Sequence, residues 1–568
     1  MSDAELALLP VFLPLLGAAL ALLAKTVHGN RAASMLESAG AVVGLVLPWA
    51  ALAGLLPVVL DGGLPFTVSG WNTTIGIAQR LDGLAWLVDA LGFTGAGAAY
   101  LYSRGNGPKD PLFTALFLIQ TSALAATAST ADLFNLFVCL EVLGLASYVL
   151  VASSQKPGAF LAAFSYLTVS SAAMVFFLIG LFGFYRLTGS LTYEGIAGGL
   201  AAMTDHGGVV AALSTACIVA AIAIRVAVMP VYGWLPDAHA LAPHAVSAVL
   251  SGVLIKTPLF ALGRLLAFLP DGIPAMELAG TAGVVTALVA VLVALSQKDA
   301  KRLLAYHSIS QIGYIVAAWG LGTPEGLRAA YLHALYHALF KGLLFLSVGT
   351  ITDAAGDRNV YTLRNAATAL VRSGDRRLTV ALAYAAGALS ISAIPPFNGY
   401  ASKSAVTYLF KGGWEYWVLF AAGACTVASF LKLSMIFLPA RQTTERGDGA
   451  DTIPETHGEF RIRASMKAAV LALAGLCIAT GLFSGKLSIF AARLLGVEKA
   501  SGPLYGFSNL AKAGLTVVIG SAVFAFAISK PGKRLAALVR GRPRSFAGLV
   551  LAFVSGLAAI GARLALFP

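Results

Sequence analysis

The chain has 568 residues, 58% hydrophobic and 11% charged, with a mean hydropathy of +0.82. Soluble domains carry about 25% charged residues, so this composition excludes a soluble protein and reads as an integral membrane protein. The formal net charge of +13 is spread between apolar segments rather than gathered on one soluble domain, and no nucleic-acid partner is expected.

Apolar runs of about 18 residues or more are long enough to cross a bilayer as helices. About sixteen succeed one another, near 4–24, 32–57, 81–102, 112–129, 131–153, 159–186, 208–235, 241–269, 276–296, 303–322, 326–352, 378–411, 414–440, 464–486, 513–529 and 546–566. A β-barrel would give short alternating segments, so the expected fold class is an all-α polytopic bundle whose backbone hydrogen bonds close within each span. The first run follows MSDAELALLP, which has no basic n-region and no small-residue cleavage site, and is expected to be a retained helix.

Between the spans, LDGGLPFTVSGWNTTIGIAQRLDG (60–83) alternates β-branched, aromatic and polar residues around Gly and Asn, as a small hairpin does. The stretch RQTTERGDGADTIPETHGEFRIR (441–463) is polar and rich in acidic residues, and is expected to be a mobile loop on the inner side. The stretch 483–503 is short and amphipathic, which suits an interfacial segment. With the N-terminus outside, inner loops carry about 24 Lys or Arg, in KDAKR (298–302), RSGDRR (372–377) and KPGKRLAALVRGRPR (530–544) among others, and outer loops about 9. The positive-inside rule then places both termini on the outer, periplasmic side of the cell's inner membrane.

Two spans are broken by proline. IAIRVAVMPVYGWLPDAH (222–239) has Arg225 just before Pro230, and ALSISAIPPFNGYASKSA (388–405) has Pro395 and Pro396 just before Lys403. Proline removes a backbone donor and frees carbonyls. Paired breaks five spans apart, each with a cation nearby, are what two inverted five-helix repeats give, although two unrelated kinks are the alternative.

Inside the spans, Arg225, Lys256, Lys341, Lys403 and Lys432 belong to no loop, and Glu141, His333 and His337 join them. A charge near a helix centre costs about 2.5 to 3.5 kcal/mol on insertion scales, so a purely structural protein has little reason to carry them. His333, His337 and Lys341 are spaced i, i+4, i+8, which drifts only some 80° around a helix and places them on one stripe facing a wet seam. Imidazole titrates near neutral pH and a desolvated lysine gives up its proton readily, which suits proton movement. Ordinary hydrogen bonding in a helix interface is the bland alternative for the histidines. Lys256 is far from both ends of its span. Lys432, eight residues from Ala440, either snorkels or stays inside. Glu141 either takes up a proton or pairs with a cation, and the basic residue at the first break is the plainest partner. Cys139, Cys217, Cys425 and Cys477 stand singly in apolar spans, so no metal and no cofactor is expected, and the four read as buried thiols.

The stretches DLFNLFVCLEVLGLASY, RVAVMPVYGWLPDAHALAPHAVSAVLSGVLIKTPLFALGRL, SQKDAKRLLAYHSISQIGYI, HALYHALFKGLLFL and ISAIPPFNGYASKS resemble the antiporter-like subunits shared by respiratory complex I, Mrp-type cation/proton antiporters and membrane-bound hydrogenases. The resemblance covers roughly 110–410. It implies a fourteen-helix core with two extra C-terminal helices: a three-helix segment at 1–110, a first repeat at 111–270 broken near Pro230, a second at 271–440 broken near Pro395, the 441–463 loop, and the last helices at 464–568. It also implies a central proton axis, in which Glu141 is the carboxylate tuning a basic residue at the first break, Lys256 the bridging lysine, His333 and His337 the relay, and Lys403 the terminal lysine.

One residue departs from the pattern. Where these subunits have lysine nine residues before the tryptophan of WLPDA, this chain has Arg225, and a guanidinium is effectively never deprotonated. The alternatives are a fixed charge that pairs with Glu141 and biases Lys256, or a first half-channel that is inactive. The resulting expectation is a proton-translocating subunit, with no redox centre of its own, that works among other membrane subunits and takes protons, with Na+ or K+ moved through the complex as a further option. A self-contained solute transporter and a passive anchor with a decayed channel are the alternatives.

Overall fold

The computed structural model describes residues 2–27, 29–68, 76–204, 207–267, 275–440, 460–496 and 505–540. Among these, thirteen helices are long and apolar enough to cross a membrane. To them are added the buried Ala300–Trp319 helix, which is too polar to count by hydropathy, and a broken pair, Thr379–Ile391 and Asn398–Leu409. Each expected run from 4–24 to 513–529 contains one of these helices. The expected run at 546–566 lies outside the described residues, as does nearly all of the expected loop at 441–463.

Local chemistry sets the helix ends. Asp82, Asp132, Asp299 and Thr323 each accept a backbone N–H of the helix they open, from Ala85 at 2.9 Å, Asn135 at 2.7 Å, Arg302 at 2.8 Å and Gly326 at 3.1 Å, filling donors a helix start leaves orphaned. Glycines let helices approach closely: Gly17 lies against Gly40, and Gly283 against Gly313, with no space for a Cβ, the small-residue packing that replaces hydrophobic drive in lipid. In the stretch expected as a hairpin, Leu64–Thr67 pairs antiparallel with Ala78–Leu81, Leu64 opposite Leu81.

Burial is unequal. The apolar windows of His244–Leu266 and Pro324–Ala355 are 100% and 94% buried, while that of Phe507–Ile528 is 11% buried. The Pro324–Ala355 helix is the hub, packing on Ala300–Trp319, on both halves of the broken pair, on Ala464–Leu482 and on His244–Val249. It is also the helix that carries His333, His337 and Lys341.

The first break starts earlier than its proline, because the helix ends at Arg225. The two breaks share one backbone. Ala227 and Ala393 both adopt left-handed φ, 59° and 56°, and both X–Pro bonds, Met229–Pro230 and Pro395–Pro396, are cis. Val228 N–H reaches back to Ala223 O and Ile394 N–H to Leu389 O, both at 3.0 Å. A second motif recurs: Asp132 bridges Thr192, and Asp299 bridges Asn359 at the same interval along the chain.

Candidate functional site

At the first break the Arg225 guanidinium is buried and meets Glu141, Nη2 to Oε1, at 2.9 Å, while Nε points to Met174 Sδ at 3.3 Å. The pair is lopsided: the Arg225 side chain is 3% exposed and that of Glu141 38%. Trp234 holds the break open, donating its indole N–H to Ile224 O at 2.8 Å and stacking on Tyr166 with ring centroids 3.9 Å apart.

Lys256 sits where the His244–Leu266 span leaves the α-helical pattern. Pro258 has no N–H to give Leu254, and residues Leu250–Leu254 form a π-helical turn. Ile255 N–H therefore bonds Leu250 O, and Lys256 N–H bonds Val253 O. The carbonyls of Ser251 and Gly252 lose their usual donors, and the Lys256 ammonium takes both, Ser251 O at 2.8 Å. No side-chain hydroxyl or carboxylate bonds this ammonium among the described residues.

At Gly252 the π turn lies against the backbone of the hub helix at Ala338, one residue from His337. Both ring nitrogens of His337 are buried with no hydrogen-bond partner among the described residues, and the charges of Lys256 and Lys341 act on it. One turn along, the His333 ring stacks on that of His337 at 6.2 Å and approaches Ser402 Oγ through Nδ1 at 2.9 Å. Its Nε2 has no partner among the described residues. Next to Ser402, Lys403 donates to Ile391 O, a carbonyl freed at the second break, at 2.8 Å, and lies 5.1 Å from the Tyr314 ring centroid. The structure thus brings Lys256, His337, His333 and Lys403 into one buried series.

Lys341 turns aside from this series: its ammonium donates to Leu304 O and faces the Phe345 ring at 4.9 Å. Lys341 thus meets the Ala300–Trp319 helix at Leu304, and His333 meets the same helix with its ring 5.8 Å from that of Tyr314. Lys432 does not snorkel. It is fully buried and caps the end of Ala275–Ser296, donating to Leu295 O and Gln297 O, both at 2.6 Å.

Sequence reading missed several buried polar groups. Lys301, assigned to an inner loop, is fully buried and donates to Ala242 O at 2.7 Å. His307 meets Ser429 Oγ at 2.8 Å, and His239 stacks on Phe345 at 5.1 Å with both nitrogens unpartnered among the described residues. Arg264 donates to Ala128 O and to Asp82 Oδ1, both at 2.7 Å. His307, His239 and Arg264 lie in apolar segments near span ends, and that position was the available signal; Lys301, within KDAKR, carried none. Among the described residues no three His, Cys, Asp or Glu side chains are grouped to hold a metal ion.

Residues 130–432 match the family model described as NADH:quinone oxidoreductase/Mrp antiporter, TM. The chain is 34% identical over 439 residues to NADH-quinone oxidoreductase subunit N of Desulforudis audaxviator (strain MP104C), covering 74% of this chain and 85% of that one. It is 27% identical over 446 residues to a Na(+)/H(+) antiporter subunit of Alkalihalophilus pseudofirmus, covering 76% and 86%. A solved chain of the Mrp complex from Dietzia sp. DQ12-45-1b superposes with a TM-score of 0.75 at 25% identity, over 91% of this chain and 99% of that one. The matched stretch holds both proline breaks and the whole lysine–histidine interior, and the chain belongs to the NADH:quinone oxidoreductase/Mrp antiporter transmembrane family.

Proposed function

We propose that the chain is a proton-translocating, antiporter-like subunit of a multisubunit membrane complex. Protons pass along Lys256, His337, His333 and Lys403, and the Glu141–Arg225 pair is the electrostatic control. The observation that carries this reading is the pairing of buried cations with neutral acceptors: Lys256 and Lys403 rest on backbone carbonyls, and between them lie imidazole nitrogens with no partner among the described residues. A lysine held this way changes protonation state without stranding a counter-charge, and a histidine accepts a proton at one nitrogen while releasing one from the other.

Arg225 keeps its proton, so it works as a fixed charge. When Glu141 swings from Arg225, the unbalanced guanidinium repels a proton on the next carrier; when the pair closes, that carrier reloads. Moving one charge through 100 mV is worth about 2.3 kcal/mol, a scale such a rearrangement can meet. Glu141 lies on a lateral face with Val138, Val142 and Leu145, all at least 40% exposed, which supports a neighbouring membrane subunit as the source of the control. Lys341, with His307 and His239 near it, is a side branch of the same axis.

The twin breaks and the twin aspartate bridges support two inverted repeats, 111–270 and 271–440, and the distribution of Lys and Arg supports both termini outside. Replacing Lys256 or Lys403 with alanine in the assembled complex in sealed vesicles is expected to abolish coupled proton movement and leave the subunits associated. Unchanged pumping in both variants overturns the relay.

A further inference from the structure

The space beside Lys403 has an unexpected wall. A cleft of about 100 Å³ runs from Lys403 toward the end of its helix, lined by Thr407, Lys411 and Tyr314 on one side and by Asn509, Lys512 and Thr516 on the other. Lys403 and Thr407 stand four residues apart on one face of the Asn398–Leu409 helix, and Lys411 lines the cleft from the turn just beyond its end. Asn509, Lys512 and Thr516 form the facing stripe of Phe507–Ile528, a helix beyond the residues that the family model matches. That helix is seated on Trp414–Ser434, with Gly520 pressed on Val427 and the Ala424 carbonyl. The added helix closes what would otherwise be a lipid-facing side of the Lys403 site.

The lining mixes polar groups with a larger apolar surface, and its charge is of one sign. Lys403, Lys411 and Lys512 are its only ionisable groups besides tyrosines, and no carboxylate lines it among the described residues. A volume of this size holds several waters, and the Thr407 and Thr516 hydroxyls, which donate to Lys403 O and Lys512 O, keep lone pairs that can accept from them. A metal cation entering here exchanges water for neutral hydroxyl and amide oxygens, with no carboxylate to offset its charge and against the field of the lysines. A proton needs no such entry, because it is handed along hydrogen bonds.

We infer that this cleft is the aqueous outlet of Lys403, and that Lys512 of the added helix makes it a proton passage that excludes Na+ and K+. The assignment of Lys403 as a proton carrier is taken from the reading above; the size and the charge of the cleft are independent of it.

The test uses the assembled complex in sealed vesicles, with Cys139, Cys217, Cys425 and Cys477 replaced by serine and a single Thr407→Cys introduced. An anionic sulfonate thiol reagent is expected to label this cysteine about ten-fold faster than a trimethylammonium one, each rate normalised to that with a free thiol in solution. Adding Lys512→Glu is expected to erase or reverse that preference and to make proton transfer inhibitable by Na+. Lack of reaction with either reagent, both at Thr407→Cys and at a second site, Thr516→Cys, means a dry cleft and overturns the inference. So does a preference that Lys512→Glu leaves unchanged. If instead labelling behaves as expected while Lys403→Ala still pumps, the outlet stands and the relay through Lys403 fails.

Discussion

The centres at the two helix breaks handle buried charge in opposite ways. At the first, a guanidinium and a carboxylate meet at 2.9 Å as an ion pair. At the second, Lys403 leans on a carbonyl oxygen freed by irregular backbone, as Lys256 does at the π turn of the His244–Leu266 span. An ion pair stores a field, whereas an ammonium on carbonyls can become an amine with its neighbours still neutral. The contrast teaches that one interior serves both to set a potential and to carry what moves in it.

The largest way to break this comparison is to strand the buried partner. Glu141→Ala leaves Arg225 buried and uncompensated, and is expected to cost about 3 to 5 kcal/mol of stability. Arg225→Ala leaves only the carboxylate, already 38% exposed, and is expected to cost clearly less. Thermal unfolding of the two variants in detergent checks the order, and equal losses contradict the lopsided burial.

A smaller effect is expected at Lys256. Lys256→Met keeps the length of the side chain and removes the donor of two carbonyls, so the loss is on the order of 1 to 3 kcal/mol for unsatisfied buried acceptors, while proton movement stops. The transport defect far exceeds the stability defect here, the reverse of Glu141→Ala. Arg225→Lys sharpens the comparison further. It preserves the pair, changes stability by less than about 1 kcal/mol, and installs a group that can lose its proton; proton uptake against pH should then gain a titrating step absent from the parent. An identical pH profile would place the first centre outside the pathway.

Much of this was legible in one sequence because lipid makes polar side chains and prolines conspicuous. Lys256 stood out as a cation far from any span end, and Pro230 and Pro395 marked the breaks. What escaped depends on tertiary geometry. The π turn at Leu250–Leu254 needs Pro258 and the hub helix together, and Lys301 reads as a loop residue until Ala242 O is seen to receive it. His333, His337 and Lys341 share a helix face by spacing, yet Lys341 bonds Leu304 O, a carbonyl inside the Ala300–Trp319 helix that the Ser308 hydroxyl also reaches, a contact that spacing alone does not give. The wall that Lys512 gives to the Lys403 cleft joins residues more than a hundred positions apart.

The smallest effect is expected where the same charges meet in water. Lys25 and Asp110 approach to 3.2 Å, with side chains 44% and 53% exposed, and the Leu112 N–H, followed by Lys25, holds the Asp110 carboxyl below the usual carboxylate range. A carboxylate depressed in this way stabilises the fold above its unfolded pKa, and that contribution is lost as pH falls through the folded value. Exposed pairs are worth about 0 to 1 kcal/mol and weaken with salt, and asparagine caps a helix about as well as aspartate. Asp110→Asn should therefore shift the unfolding temperature hardly at all near neutral pH, and should abolish the small acid-side loss. If it destabilised the protein as much as Glu141→Ala, burial would not be what separates the two ion pairs, and the contrast between the centres would have to rest on something other than their exposure.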